Sequence, residues 1–165
     1  MADFPYRCAL IIGAGPGISA SLARRLSKIG LQVGLAARDV EKLKPLAEET
    51  AAAVFALDAS QPDAVAQLFL DMDRQVAEPD IVIYNASSRV PGPLSSVDPA
   101  AVEKSIAITT FGAFLAAQQA AKRMEPKGRC QRRRESAHRR RGFVGCVAAD
   151  GLKGQGPEPV AAMAV

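Results

Sequence analysis

Apolar residues in this chain follow two alternating patterns. Apolar runs, typical of strands buried on both faces of a parallel sheet, cover residues 8–12, 31–37, 53–57 and 81–84, and Gln32 is the one polar residue within them. Between these runs, apolar residues recur at spacings of three and four, as in helices that pack one face on a sheet. The strand and helix pair repeats four times up to residue 128. The pattern predicts an α/β fold with a doubly wound parallel sheet.

The helical patterns also predict caps and inward faces. Asp39, Ser60 and Asp98 stand where a side chain caps the start of a helix. The predicted inward face of the first helix is Ile18, Leu22, Leu26 and Ile29. The predicted inward face of the last and longest helix is Val102, Ile106, Ala113, Phe114, Ala117, Ala120 and Met124.

Glycine, charged and amide residues follow the predicted strands where each strand ends. In a parallel sheet these positions meet at one edge, where α/β proteins bind ligands. Glycines in the first turn can adopt positive φ and let a ligand approach the backbone, and the free N–H groups of the next helix attract an anion. The residues at these strand ends are Gly13, Gly15, Gly17, Arg38, Asp58 and Asn85.

The glycine spacing distinguishes between two nucleotide-binding fingerprints. The G-x-G-x-x-G pattern would need a third glycine where Ile18 stands. The spacing of Gly13 and Gly17 instead resembles the phosphate turn T-G-x-x-x-G-x-G of the short-chain dehydrogenase/reductase family. Ile12 stands at the threonine position and Ser19 at the last glycine. The second departure predicts looser helix packing near the pyrophosphate.

Two further segments extend this resemblance over residues 8 to about 128. Leu57-Asp58-Ala59 resembles the family segment whose aspartate meets the adenine ring, and Asn85-Ala86-Ser87 resembles the family N-A-G turn. Taken singly, these segments also fit an ordinary acid beside a helix and an ordinary strand-end cap. Together they imply a Rossmann-like domain that binds a nicotinamide dinucleotide, with a sheet of strand order 3-2-1-4. The implied cofactor-binding residues are Gly13, Gly15, Gly17, Ile18, Arg38, Asp58, Ala59, Asn85 and Ala86.

Arg38 indicates which dinucleotide is preferred. An acidic residue at the end of the second strand would accept hydrogen bonds from the ribose hydroxyls of NAD, whereas a guanidinium pairs with a 2′-phosphate. Ala37 occupies the usual acidic position and Arg38 follows it. The sequence therefore favours NADP over NAD. The alternative is an arginine that is only solvated beside Asp39.

The catalytic residues that the resemblance implies are missing from this sequence. The family transfers hydride between nicotinamide and a carbonyl or alcohol, with a tyrosine as acid/base and a lysine four residues later that lowers its pKa. Leu10 and Ser88 stand four residues after Tyr6 and Tyr84, the two tyrosines of the chain, and Thr109 stands at the position of the family's helix asparagine. We therefore predict no catalytic residue. A small carbonyl or alcohol substrate is expected only where a catalytic half is present.

The charge distribution places a boundary near Gly128. Residues 1–128 hold 13 basic and 14 acidic residues, whereas residues 129–165 hold 8 basic and 3 acidic residues. Seven arginines lie within residues 129–141, and unpaired charges of this density do not suit a buried strand. We therefore divide the chain into a dinucleotide-binding domain, residues 1–128, and an irregular basic tail, residues 129–165. The fold is then truncated after its fourth strand, and the uncovered strand edge predicts self-association.

Two hypotheses explain the basic tail. The first is an out-of-frame reading of a GC-rich gene beyond codon 128, which we favour and which the other two frames of the gene would test. The second is a genuine basic arm on a non-catalytic NADP-binding or nucleic-acid-associated regulator, since arginines neutralise phosphates.

The remaining composition predicts a globular protein without a metal site. Forty-eight per cent of residues are hydrophobic and 23% are charged. No apolar run approaches the roughly 20 residues that span a bilayer and the chain has no signal-peptide layout, so we expect a cytoplasmic protein without a membrane partner. Three cysteines predict reduced thiols. The spacing of Cys130, His138 and Cys146 lacks the paired form of a zinc site.

Overall fold

The computed structural model of the chain describes residues 6–125 and 143–146. Its strands are β1 (Cys8–Ile12), β2 (Gln32–Ala37), β3 (Ala53–Ala56), β4 (Ile81–Tyr84) and β5 (Phe143–Cys146). Its helices are α1 (Ile18–Lys28), α2 (Lys44–Thr50), α3 (Pro62–Gln75), α4 (Pro99–Ile106) and α5 (Gly112–Met124). A short 3₁₀ helix, Glu41–Leu43, precedes α2, and a π-helical turn, Ala107–Phe111, joins α4 to α5.

The strands form one parallel sheet of order β3-β2-β1-β4-β5. The central strand β1 pairs with β2 on one side and with β4 on the other, so that Ile12 lies beside both Ala36 and Tyr84. All five residues of β1 are buried, as expected for a strand covered on both faces. The predicted doubly wound parallel fold and the order of its first four strands are confirmed.

The fifth strand corrects the expectation that no element forms after residue 128. β5 pairs in parallel with β4, from Ile81 beside Phe143 to Tyr84 beside Cys146. A parallel ladder is formed by backbone groups, and the short apolar run after the last arginine is long enough for an edge strand. The edge of β4 is therefore paired, contrary to the prediction. The arginine-rich residues 129–141 lie outside the described residues.

Two apolar clusters cover the two faces of the sheet. One joins β1 and β4 to α3 and α5, with Phe69, Met72 and Met124 among its fully buried side chains. The other joins β1 and β2 to α1 and α2. This arrangement leaves the carboxyl ends of the strands as the edge at which loops gather.

The inward face of α1 differs from the prediction. Ser19, Ala20 and Ala23 are the buried residues of α1, whereas Ile18 and Ile29 are 48% and 50% exposed. Small side chains face the sheet because α1 starts directly at the glycine turn and lies close to β1. The larger apolar residues lie on a neighbouring stripe of the helix. Of these, Leu22 and Leu26 are partly buried and pack against the core.

One of the three predicted caps is present in the structure. The Asp98 side chain accepts a hydrogen bond from the Ala100 N–H at 3.0 Å and caps α4. Asp39 instead pairs with Lys42, and Ser60 hydrogen-bonds Asp58 rather than the start of α3, whose N-cap is Gln61. The two incorrect caps are explained by competing partners within the same turns.

The inward face of the long helix differs in part from the prediction. Leu115 is buried, whereas the predicted Phe114 is 57% exposed. Val102 and Ile106, predicted to face inward, are also exposed, whereas Ala120 and Met124 are buried as predicted.

The last helical segment runs from Pro99 to Met124, close to the bounds that the sequence predicts for it. It has 26 residues, with a mean hydropathy of 1.3 over its most apolar part, and by length and composition alone it could cross a membrane. This criterion is weak because core helices of soluble domains also meet it. In this fold the helix packs on α3 and β4.

We expect Gly112→Ala to destabilise the fold. A Cβ there would lie 2.5 Å from the Ala59 carbonyl oxygen and closer still to the Tyr84 hydroxyl. Alanine favours a helix by about 1 kcal/mol, but overpacking of this kind costs about 1–3 kcal/mol and should prevail. Urea denaturation should show a lower midpoint for this variant and little change for Thr110→Ala, which alters an exposed position of the same turn. Equal midpoints for both variants would contradict the packing described here.

Candidate functional site

A cleft of about 290 Å³ lies at the carboxyl ends of the central strands. Most of the predicted cofactor-binding residues line it, namely Gly13, Gly15, Arg38, Asp58, Ala59, Asn85 and Ala86. Gly17 and Ile18, also predicted, do not line the cleft and are exposed at the start of α1. The cleft also contains Asp39, Lys42 and Ser87, which the sequence reasoning did not include.

Gly13 is the position at which two loops of the cleft meet. Its φ is +81°, and a Cβ there would lie 2.6 Å from the Asn85 carbonyl carbon and closer still to the Ala86 nitrogen. Backbone hydrogen bonds from Gly13 and Ala14 to the Ala36 oxygen, at 2.9 and 3.0 Å, fix the turn against β2. Glycine is required here because of both the conformation and the lack of space.

Ser19 strengthens this junction, which corrects the expectation of looser packing. The side chain is 1% exposed, and its Oγ donates a hydrogen bond to the Gly13 oxygen at 3.2 Å. The same Oγ accepts a hydrogen bond from Asn85 Nδ2 at 2.9 Å. The serine that replaces the family glycine thus connects the first turn to the loop after β4 through one buried hydroxyl.

The other two glycines of the turn leave open space. A Cβ at Gly15 or Gly17 would meet no atom within 4 Å. Of the three glycines in this turn, only Gly13 adopts the positive φ that glycine allows. The space lies beside the first N–H groups of α1, which have no partner within the helix. A bound phosphate would find backbone donors and no obstructing side chain there, so these residues fit the pyrophosphate of a dinucleotide.

Asn85 also carries an unsatisfied polar atom at the cleft. Its Oδ1 is buried and has no hydrogen-bond partner among the described residues. Its backbone N–H donates to the Ile12 oxygen at 2.7 Å, which fixes the residue at the end of β4. A buried acceptor without a partner is uncommon in proteins, and it fits a donor supplied by a ligand in the cleft.

Charged side chains gather at the β2 and β3 side of the cleft. Arg38 is exposed and has no ion pair within 4 Å among residues 6–125, whereas Lys42 pairs with Asp39 at 3.0 Å. The hydrogen bond from Ser60 Oγ at 2.7 Å, followed by that from the Ser60 N–H at 3.0 Å, lowers the pKa of Asp58. Arg38 lowers this pKa further. Asp58 is therefore a carboxylate at neutral pH beside an arginine that is available to an anion.

The described tyrosines do not form an acid/base site. Tyr84 is buried, and its hydroxyl donates a hydrogen bond to the Ile108 oxygen in the π turn. Tyr6 does not line the cleft. Thr109 accepts a hydrogen bond from the Ser88 N–H at 3.2 Å. The prediction of no catalytic residue is thus consistent with these positions and is not tested by them.

Cysteine and metal chemistry contribute nothing to the described part of the site. Burial, as the largest cause, together with the carboxylates of Asp80 and Asp73 raises the pKa of the Cys8 thiol to about 12, so the thiol stays protonated and unreactive at neutral pH. Among residues 6–125, no group of three or more metal-binding side chains occurs. Cys130 and His138 lie outside the described residues.

The sequence matches the family model of the short chain dehydrogenases over residues 7–131. Together with the parallel fold and the glycine turn, this match means that the chain belongs to the short-chain dehydrogenase/reductase family. The match ends three residues after Gly128.

Individual relatives agree with this assignment. Versicolorin reductase 1 of Aspergillus parasiticus is 32% identical over 131 residues, which cover 74% of this chain and 49% of the relative. Gluconate 5-dehydrogenase of Gluconobacter oxydans is 29% identical over 73% of this chain and 49% of the relative. The chain thus spans about half the length of these curated relatives.

Solved structures share the fold. A short-chain dehydrogenase/reductase from Mycobacterium marinum is 27% identical, with a TM-score of 0.74 over 85% of this chain and 54% of that chain. A metagenomic short-chain oxidoreductase solved in complex with NADP is 29% identical, with a TM-score of 0.74 over 85% of this chain and 61% of that chain. The chain therefore corresponds to a part of these solved family members.

We expect Ser60→Ala to raise the pKa of Asp58 toward its ordinary value. The variant removes the hydroxyl, the largest cause of the lowered pKa, and keeps the weaker backbone hydrogen bond. Because the folded-state pKa lies below the unfolded value, the ionised carboxylate stabilises the fold above the unfolded pKa. This contribution is lost as pH falls through the folded-state pKa. An NMR titration of the Asp58 carboxyl carbon measures the change, with Ser96→Ala as the matched control. An unchanged titration in Ser60→Ala would contradict the assigned cause.

Proposed function

We propose that this chain is the cofactor-binding part of an NADP-dependent short-chain oxidoreductase, which transfers hydride to or from a small carbonyl or alcohol. The observation that carries the proposal is the shared cleft. It combines the glycine turn, Asp58 at the end of β3, Asn85 at the end of β4 and Arg38 at the end of β2, which has no ion pair within the described part of the chain. Membership of the oxidoreductase family supports the reaction class.

The preference for NADP follows from charge. Arg38 follows Ala37 at the end of β2, and Lys42 lies in the same cleft. The Arg38 guanidinium has no ion pair among the described residues and therefore suits a 2′-phosphate. The uncharged side chain of Ala37 offers no acceptor to the ribose hydroxyls of NAD. The metagenomic oxidoreductase with 29% identity was solved with NADP, which is consistent with this choice.

Catalytic incompleteness is part of the proposal. The sequence contains no tyrosine followed four residues later by lysine, and the Tyr84 hydroxyl donates a hydrogen bond to the Ile108 carbonyl oxygen. When bound, the dinucleotide would supply the hydride. The described residues would bind and orient it, without a group placed to move the proton at the substrate oxygen. We therefore expect NADPH binding without measurable NADPH oxidation when the chain is mixed with carbonyl compounds.

Arg38→Ala should weaken NADPH binding roughly tenfold or more and leave NADH binding unchanged, since a hydrogen bond to a charged group contributes about 1.5–3 kcal/mol. Thermal melts across a range of each cofactor measure both affinities, because a ligand that binds the folded state raises its stability.

Lys28→Ala is the matched control for this experiment, because Lys28 is an exposed basic residue at the far end of α1. Its NADPH affinity should equal that of the wild-type chain. Absence of any shift with millimolar NADPH would contradict the binding proposal. Equal losses of NADPH and NADH affinity in Arg38→Ala would contradict the assigned role of the arginine.

We also propose that the chain self-associates with a second copy through the exposed face of the long helix. Val102, Ile106, Phe111 and Phe114 are large apolar side chains that remain exposed on α4 to α5. The rings of Phe111 and Phe114 stack with centroids 6.3 Å apart, so these two side chains form a single apolar patch. Exposed apolar patches of this kind are typical of protein interfaces.

Phe114→Ser should therefore shift the chain toward monomer in sedimentation experiments across a concentration range. Gln118→Ser, an exposed change one turn further along α5, should leave the distribution unchanged. A wild-type chain that is monomeric at all concentrations, or equal behaviour of the two variants, would contradict this proposal.

A further inference from the structure

The loop after β4 is held by side-chain hydrogen bonds at two points, Asn85 and Ser88. Asn85 is bound at its start by Ser19, as described above. Three residues later, both backbone groups of Ser88 are bound by side chains of the long helix. The Ser88 N–H donates to Thr109 Oγ1 at 3.2 Å, and its carbonyl oxygen accepts from Ser105 Oγ at 2.6 Å.

The two helix residues are four positions apart and therefore lie one above the other on the same face. Ser105 is in the last turn of α4 and Thr109 is in the π turn. Serine and threonine hydroxyls inside a helix often bond to a carbonyl of the preceding turn. In this helix both hydroxyls instead bond to a neighbouring loop, so that one helix face binds one residue of the loop twice.

The π turn brings this helix face close to the end of β4. The Ile108 carbonyl oxygen accepts a hydrogen bond from the Tyr84 hydroxyl, and Gly112 lets the helix approach Ala59. Tyr84 is the last residue of β4, so the helix is attached at the strand end and again four residues later at Ser88. The loop segment between these two attachments lines the cleft.

We propose that Ser105 and Thr109 are positioning residues for the cofactor site, which they organise by fixing the backbone of Ser88. The inference rests on the proposed NADP-binding function. The Ala86 backbone lies so close to Gly13 that no Cβ would fit between them. Ser87, the residue before Ser88, lines the cleft. Residues 85–88 form no helix or strand, so their backbone would otherwise lose freedom when a ligand binds. Fixing the loop beforehand favours binding because that loss is not incurred again.

The test uses the full chain and four variants. Thr109→Val removes the acceptor but keeps the shape, Thr109→Ser keeps a hydroxyl, and Ser105→Ala removes the donor to the Ser88 carbonyl. Thr110→Val is the matched control, since Thr110 is exposed beside Thr109. NADPH dissociation constants are measured by fluorescence titration, and unfolding midpoints are measured for every variant.

We expect Thr109→Val and Ser105→Ala each to weaken NADPH binding about three- to tenfold, the range for one lost hydrogen bond. Thr109→Ser should restore the wild-type affinity, and Thr110→Val should retain it. Adenosine 2′,5′-bisphosphate should bind all variants alike. The residues for its phosphate and adenosine end, Arg38 and Asp58, follow β2 and β3, on the other side of β1 from this loop.

Three results would overturn the inference. The first is an unchanged NADPH affinity in Thr109→Val with a lowered unfolding midpoint, which indicates a structural role alone. The second is an equal loss in Thr110→Val, and the third is a failure of Thr109→Ser to restore binding. If the wild-type chain does not bind NADPH, the proposed function itself is wrong. This result differs from the three above because it is seen in the wild-type chain, before any variant is compared.

Discussion

The candidate site depends on a contact between two backbones, where Gly13 lies against the peptide that joins Asn85 to Ala86. A side chain at Gly13 would occupy the same space as that peptide, and its φ of +81° also disfavours other residues. Because the two segments follow neighbouring strands of the sheet, this contact joins the carboxyl ends of β1 and β4. The cleft lies at that junction, and Gly13, Asn85 and Ala86 all line it.

Hydrogen bonds extend outward from this contact in both directions. Ser19 connects the Gly13 carbonyl to the Asn85 side chain, while Thr109 and Ser105 connect Ser88 to the long helix. The glycine turn, the loop after β4 and the π turn are thus parts of one hydrogen-bonded unit. Such a unit can hold irregular backbone in place at a site where no strand or helix does so.

The sheet could be read from the sequence because its strands appear as apolar runs, most clearly in β1, which is buried along its whole length. The helices were harder to place, since their faces depend on what they approach. α1 buries Ser19, Ala20 and Ala23 beside the glycine turn, although its larger residues repeat on a neighbouring stripe. In the long helix, Leu115 is buried instead of the neighbouring Phe114, whereas Ala120 and Met124 are buried as predicted. Apolar periodicity does not distinguish between two adjacent apolar residues.

The residues around the cleft divide in the same way. Arg38, Asp58 and Asn85 were found because each directly follows a predicted strand, and parallel strands bring their carboxyl ends together. Lys42 was missed because it lies beyond the end of β2, in a short 3₁₀ helix. Ser87 was noted only as part of the N-A-G-like turn and was not named as a site residue. Ser19 was misjudged because a replaced glycine shows which side chain is added but not what that side chain contacts.

The sequence by itself determined the parallel sheet, the order of its first four strands, the glycine turn and the absence of a tyrosine followed four residues later by lysine. These features depend on residue type and on spacing along the chain. The tertiary structure decided the fifth strand beside β4, the buried link through Ser19 and the double attachment of Ser88 to the long helix. Each of these is a contact between segments far apart in sequence. Such a contact is set by the relative positions of packed elements and leaves no local pattern in the chain.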